Sequence, residues 1–207
     1  MVTIMESLGG FMALGFLVAD AQNVIVKHVM NGDFEWLLLY EDDVLPPMDA
    51  FIKLNHYMLE GEIPVVSGLY HTKSRPPEPL MFRGRGNGSY AKYKPGSKVW
   101  CDGVPTGFLL IHTSILKAMW DDCEEYTIKG QTTRRMFRFP RDLWMDPETG
   151  NTRSLMGTSD LDWCTRVIEG GYFKKAGWPK FARRKYPFLV DTNISCRHIA
   201  MSGELFP

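Results

Sequence analysis

The chain has 207 residues, 44% hydrophobic and 23% charged, enough apolar material for one sizeable core and the proportions of a single domain. Lysine plus arginine and aspartate plus glutamate each total 24, so the formal charge is zero and no overall basic field recruits nucleic acid. Apolar stretches such as "GFMALGFLVA" at 10–19 are too short and too broken by glycine to span a membrane, and no basic region precedes an apolar one as in a signal peptide, so a cytoplasmic location is expected.

In chain order, "AQNVIVKHVM" at 21–30 has helical spacing, with Val24, Ile25, His28 and Val29 able to share a face, and "NGD" supplies the stop. The run "FEWLLLYEDD" at 34–43 is apolar without alternation, the pattern of a strand covered on both faces, as in a parallel sheet. A helix is expected after Pro47, ending at Gly61, and "IPVVSGLY" at 63–70 is a further apolar strand. This alternation is the α/β rhythm. A polar stretch rich in proline and glycine, about 71–97, reads as a surface excursion, and "VPTGFLLIHTSILKAM" at 104–119 as a strand followed by a helix.

Residues 121–157 read as an irregular, charged and aromatic second excursion. Within it, Lys129, Arg134 and Arg135 form either a basic flap or part of a solvated loop. "SDLDWCTRVIEGGY" at 159–172 reads as a helix N-capped by Ser159 or Asp160 and ended by Gly170 or Gly171. The last strand-like run leads to Arg197 and His198. Cys101, Cys123, Cys164 and Cys196 form no C-x-x-C pair, which argues against structural zinc and for reduced thiols.

Chemistry concentrates at Glu41, Asp42 and Asp43, three carboxylates at the carboxyl end of an apolar strand, where α/β sheets bind ligands. In an extended chain, Glu41 and Asp43 face one side and Asp42 the other. Adjacent carboxylates repel, and a divalent cation offsets that repulsion, Mg²⁺ typically taking one or two carboxylates plus substrate phosphates. The competing reading is that they cap the next helix. Asp160 and Asp162, at the start of a helix, are candidates for a general base or for simple N-capping, and His198 for a metal ligand better suited to Mn²⁺ than to Mg²⁺.

Taken in order, "AQN" at 21–23, "WLLLYEDDVLPPMDAF" at 36–51, "VVSGLY" at 65–70, "GVPTGFLLIHTSIL" at 103–116, "SDLDWCTRVIEGGY" at 159–172 and "VDTNISCRH" at 190–198 resemble the GT-A glycosyltransferases, in particular the large inverting family of nucleotide-sugar transferases and its short bacterial and phage-like members. The resemblance implies a single-domain, Rossmann-like, mostly parallel sheet flanked by helices. It also implies a Mn²⁺ or Mg²⁺ ion and a nucleotide-sugar donor, with a UDP-sugar as default, and transfer to a saccharide or other hydroxyl acceptor. On it, "EDD" takes the place of the D-x-D element, with Asp43 and His198 on the metal and Glu41 and Asp42 near the nucleotide. Gln22, Asn23, Thr106 and Gly107 fall in the donor and acceptor cleft, and Asp160, with Asp162 in reserve, becomes the base.

Family members open with a strand that holds the base and ribose. Here "VTIM" at 2–5 is a shortened version of it, or the strand is absent and nucleotide binding is weak, incomplete or completed by a second subunit. Two other classes compete: a metal-dependent phosphoryl transferase or nuclease, which uses two ions, and a non-catalytic relative that binds nucleotide or sugar without turnover. Tyr90, Tyr93 and Trp100 either stack on a saccharide acceptor or pack in the core.

Overall fold

The structure, a computed structural model, describes residues 11–84, 88–150 and 152–207. The expectation for "VTIM" at 2–5 therefore lies outside the described residues. Helix α1 (Val18–Met30) leads to strand β1 (Trp36–Tyr40), the short β2 (Val44–Leu45), α2 (Ala50–Glu60) and β3 (Val65–Leu69). After the first excursion come β4 (Lys98–Cys101), β5 (Phe108–His112) and α3 (Thr113–Trp120). Two hairpins follow, β6 (Glu125–Ile128) with β7 (Gln131–Arg134) and β8 (Arg141–Met145) with β9 (Thr152–Met156). The chain closes with α4 (Ser159–Glu169), α5 (Tyr172–Lys175), α6 (Pro179–Ala182), β10 (Phe188–Ser195), β11 (Arg197–Ile199) and β12 (Leu205–Phe206).

The principal sheet has five strands in the order β1-β5-β3-β10-β4. The expected Rossmann-like, mostly parallel sheet of the GT-A type does not form. Within this sheet only β3 and β10 pair in parallel, whereas β1/β5, β5/β3 and β10/β4 are antiparallel. The physical reason lies in what an apolar run reports. β3 is buried along its whole length and β5 nearly so, which records cover on both faces and says nothing of direction. β1 and β3 do run the same way on either side of α2, since each is antiparallel to β5, but β5 inserts between them.

Alternation across β5 divides the core. Leu109 and Ile111 face α1, α3 and α4 and pack with Ile25, Ile115, Met119 and Trp163, while Phe108 and Leu110 face α2 and pack with Leu54 and Tyr57. The sheet is thus covered on both faces by helices. Gly61 closes α2 in the left-handed conformation (φ 60°), as its place after the last helical turn anticipates. In α1, Val24, Ile25 and Val29 are buried as expected, but His28 is exposed and stacks on Phe11 at 4.5 Å.

The expectation of irregular structure over 121–157 also fails. Lys129 (φ 46°) and Gly130 (φ 75°) form a two-residue turn with both φ positive, the geometry that closes the tight β6–β7 hairpin. All four cysteines are buried free thiols, and burial pushes Cys101 and Cys196 up to about 12, which makes them poor nucleophiles at neutral pH. Among the described residues no helix is long and apolar enough to cross a membrane.

Candidate functional site

Strand directions gather the chemistry at one edge of the sheet. β1, β3 and β10 end there, and β5 and β4 begin there. The residues just beyond these ends are Glu41, Tyr70 and His71, Cys196 to His198, Thr106 and Gly107, and Ser97.

The chain turns at the acidic triplet instead of staying extended. The Val44 amide donates to the Glu41 carbonyl at 3.1 Å, which leaves Asp42 exposed at the corner. The helix-cap alternative fails too: α2 starts only at Ala50, with Asp49 at its N-cap position. The Glu41 amide donates to the Gly107 carbonyl at 2.9 Å, extending the β1–β5 ladder by one rung and turning the Glu41 carboxyl inward. A hydrogen-bonded chain then crosses three elements. Ser159 Oγ donates to Gln22 Oε1 (3.1 Å), Gln22 Nε2 to Thr106 Oγ1 (2.8 Å), and the Thr106 hydroxyl lies 3.5 Å from Glu41 Oε1. Ser159, Gln22 and Thr106 are all buried, so each must find its partner inside the protein.

Asp43 and His198 meet because β2 pairs with β11, which sets His198 opposite Val44, and because the Ile199 amide donates to the Asp43 carbonyl at 2.7 Å. A register shift in β10 between Asp191 and Ser195 redirects the strand end toward this point. His198 donates its Nδ1–H to the His71 carbonyl at 2.7 Å, which turns Nε2 toward Asp43. Nε2 lies 3.7 Å from Asp43 Oδ1, too far for a hydrogen bond. Asp43 Oδ2 pairs with Lys73 Nζ at 2.5 Å, whereas Oδ1 is buried and has no hydrogen-bond partner among the described residues. Tyr70 underlies the group. Its hydroxyl accepts the Gly107 N–H at 2.6 Å, and its ring stands edge-on to His198 with centroids 5.1 Å apart.

The carboxylates differ in charge state. The His198 imidazole and the Lys73 ammonium hold Asp43 well below the usual carboxylate range, against the effect of its burial. Burial, followed by the charges of Asp43 and Asp160, raises Glu41 from 4.5 to about 7. Burial also raises Asp160, although the Thr158 hydroxyl and the Leu161 amide (2.8 Å) oppose it. Glu41 and Asp160 thus share an enclosed region in which a proton is readily held.

Asp43 Oδ1 and His198 Nε2 are the two atoms here that could hold a divalent cation. An unpartnered buried carboxylate oxygen faces an imidazole nitrogen whose ring is oriented by a carbonyl, the usual outer-shell support for a ligating histidine. Among the described residues no group of three or more His, Cys, Asp or Glu could hold a metal ion, so an ion held by Asp43 and His198 would take the rest of its shell from water and substrate oxygens.

The remaining candidates sit as follows. Asn23 spends its amide inside the fold, donating to Tyr126 Oη (3.0 Å) and the Phe137 carbonyl (2.8 Å) and accepting from the Phe137 amide (2.7 Å). Asp162 is paired with Arg166 (2.7 Å) and Arg138 (3.3 Å). Neither Ser159 nor Asp160 is the N-cap of α4, which Thr158 occupies. Of the three basic flap residues, Arg134 donates to the carbonyls of Trp120, Asp121 and Cys123 at the end of α3, Arg135 pairs with Glu124, and Lys129 bonds the Gly15 carbonyl. Trp100 packs on Phe181 beneath the guanidinium of Arg184. Tyr70, His71 and Lys73 were missed, although "LYHTK" follows an apolar strand just as the acidic triplet does.

No protein-family model and no curated protein matches this chain. A solved structure, that of A197 from STIV, is similar over 92% of this chain and 75% of its own, with a TM-score of 0.53 and 16% sequence identity, a likeness of fold.

Proposed function

We propose that this chain is a metal-dependent glycosyltransferase that moves a sugar from a nucleoside-diphosphate sugar to an acceptor hydroxyl with inversion at the anomeric carbon. The observation that carries the reading is the buried, unpartnered Oδ1 of Asp43 facing Nε2 of His198, beside two carboxyls whose burial suits them to hold a proton. A Mn²⁺ or Mg²⁺ ion on Asp43 and His198 would neutralise the charge that builds on the departing diphosphate. Lys73, already on Asp43 Oδ2, adds a second positive charge at the same place.

Asp160 is the base. Its raised affinity for protons lets it take the acceptor hydroxyl proton, while the acceptor oxygen forms its bond to the anomeric carbon and the diphosphate leaves with the electron pair of the broken C–O bond. Glu41, held by the relay through Thr106, Gln22 and Ser159, forms the wall between the nucleotide and the sugar. Gly107 keeps that wall close, since a side chain there would collide with Tyr70 and Glu41. A uridine nucleotide is the default donor. The four buried free thiols accord with a reducing, cytoplasmic setting.

The test is calorimetric titration with a panel of nucleoside diphosphates, with and without Mn²⁺, on the natural protein and on Asp43→Asn. The reading expects one nucleotide to bind only with Mn²⁺ and to lose that binding in the variant. Failure of every nucleotide to bind would refute it, and binding without turnover of any matching sugar donor would assign a non-catalytic relative.

A further inference from the structure

The excursion between β3 and β4 carries a charge imbalance that the chain as a whole lacks. From His71 to Lys98 there are seven lysines or arginines and one carboxylate, Glu78, in a protein of zero formal charge. Part of this excess surrounds a cavity of about 490 Å³. Arg83, Lys92, Lys94 and Lys98 supply its cations and Tyr90 and Tyr93 its rings, and among the described residues no Asp or Glu lines it.

One of the cations is fixed. Arg83 donates its Nε–H to the Trp100 carbonyl at 2.8 Å, and its guanidinium carbon stands 3.9 Å from the Tyr90 ring centre and 4.8 Å from that of Tyr186. Lys92 and Lys94 are exposed, and neither pairs with a carboxylate among the described residues. Four like charges about one hollow repel one another, and a solvated loop gains nothing from leaving acids out of its lining. An anionic ligand removes that repulsion and gains charge-assisted hydrogen bonds.

The cavity adjoins the candidate site. β4 begins at the sheet edge where β3 and β10 end. Tyr93 Oη lies 3.4 Å from His71 Nε2, and the carbonyl of the same His71 orients His198. A single residue therefore links the cavity wall to the Asp43–His198 pair.

We propose that this cavity binds the acceptor of the transfer reaction and that the acceptor carries a phosphate. Resting on the transferase reading above, this narrows the acceptor to a phosphorylated sugar or a phosphorylated lipid. The phosphate sits among Arg83, Lys92 and Lys94, and the body of the acceptor packs on Tyr90 and Tyr93 with its hydroxyl directed past His71. A doubly charged phosphate matches several cations better than a single carboxylate does, and tyrosine rings accept the apolar face of a sugar or the first part of a lipid chain.

Direct binding tests this without turnover. Glucose 6-phosphate is compared with glucose by calorimetry, and phosphatidylcholine vesicles containing phosphatidic acid are compared with pure phosphatidylcholine by co-sedimentation. Both are run on the natural protein, on the exposed double variant Lys92→Gln/Lys94→Gln and on Asp43→Asn. The proposal expects at least one phosphorylated probe to bind about tenfold or more tightly than its neutral counterpart, and the double variant to lose about tenfold or more of that binding. Asp43→Asn retains it. Preference for the sugar phosphate assigns a soluble acceptor, and preference for the anionic vesicles a lipid one.

Equal binding of charged and neutral probes overturns the proposal, as does phosphate binding that survives in the double variant. Mn²⁺-dependent nucleotide binding is measured on the same samples. It should fail in Asp43→Asn and persist in the lysine variant, so loss of the transferase reading is distinguishable from loss of the acceptor assignment.

Discussion

Gly107 is the residue on which the candidate site depends most closely, and Gly107→Ala tests that dependence with one methyl group. A Cβ there would lie 2.3 Å from Tyr70 Oη, 2.8 Å from its Cζ and 2.9 Å from Glu41 Oε2. A tyrosine hydroxyl is normally able to swing aside, but Tyr70 is 2% exposed and packed among Phe108, Cys196 and the His198 ring. Relief must come from moving the start of β5 or the whole Tyr70 ring, and overpacking of this kind costs about 1–3 kcal/mol. Separating Gly107 N–H from Tyr70 Oη, now 2.6 Å apart, adds about 1 kcal/mol. The expected loss is therefore about 2–4 kcal/mol, measured as a lower midpoint in urea at unchanged slope. Because the Tyr70 ring braces His198, the variant should also lose Mn²⁺-dependent nucleotide binding. A midpoint within about 0.5 kcal/mol of the natural protein, with intact binding, would refute the argued packing.

Three further outcomes are expected. Glu41→Gln should be pH-dependent. A carboxyl raised from 4.5 to about 7 in the folded state contributes stability that is full below 4.5 and lost as pH rises through about 7. At 1.36 kcal/mol per pH unit, the variant should gain about 3 kcal/mol over the natural protein at pH 8 and almost nothing at pH 4, and a pH-independent difference in urea midpoints would contradict the enclosure of Glu41. Arg166→Ala leaves the 8%-exposed Asp162 carboxylate with Arg138 alone and removes a bond to the Met136 carbonyl, so thermal and urea unfolding should show a loss of about 2–3 kcal/mol; an unchanged midpoint would count against the pair. Asn23→Ala strips partners from the Phe137 amide and carbonyl and from Tyr126, with an expected cost of about 2–4 kcal/mol. Hydrogen exchange should accelerate first at Phe137, and protection there equal to the natural protein would show that Asn23 does not tie α1 to this segment.

Where local chemistry fixes structure, the sequence was readable. Gly61 closing α2, the apolar runs of β1, β3 and β5, and the α4 pattern before Gly170 all depend on neighbours within a few residues. Strand direction was not readable, because an apolar run records burial on two faces and β5 is inserted between β1 and β3 from far along the chain. The β6–β7 hairpin escaped notice because Lys129 stands where a turn of this type usually shows Asn or Asp. At the candidate site, Glu41 and Asp43 were named from their place at a strand end, His198 as an imidazole able to join a metal, and Thr106 and Gly107 from the family resemblance. Lys73 and Tyr70 follow the same rule after β3 but are not residue types that announce a ligand. Asn23, three residues into a helix-forming run, gave no sign that its amide would be spent on residues more than a hundred positions away.

The central claim is that Asp43 and His198 hold the cation of a nucleotide-sugar site. The most direct measurement is a crystal grown with Mn²⁺ and UDP and examined by anomalous scattering at the manganese edge. The account predicts one strong peak about 2.0–2.3 Å from both Asp43 Oδ1 and His198 Nε2, with diphosphate oxygens completing the shell. A manganese peak elsewhere, or nucleotide bound with no ion between Asp43 and His198, would contradict it.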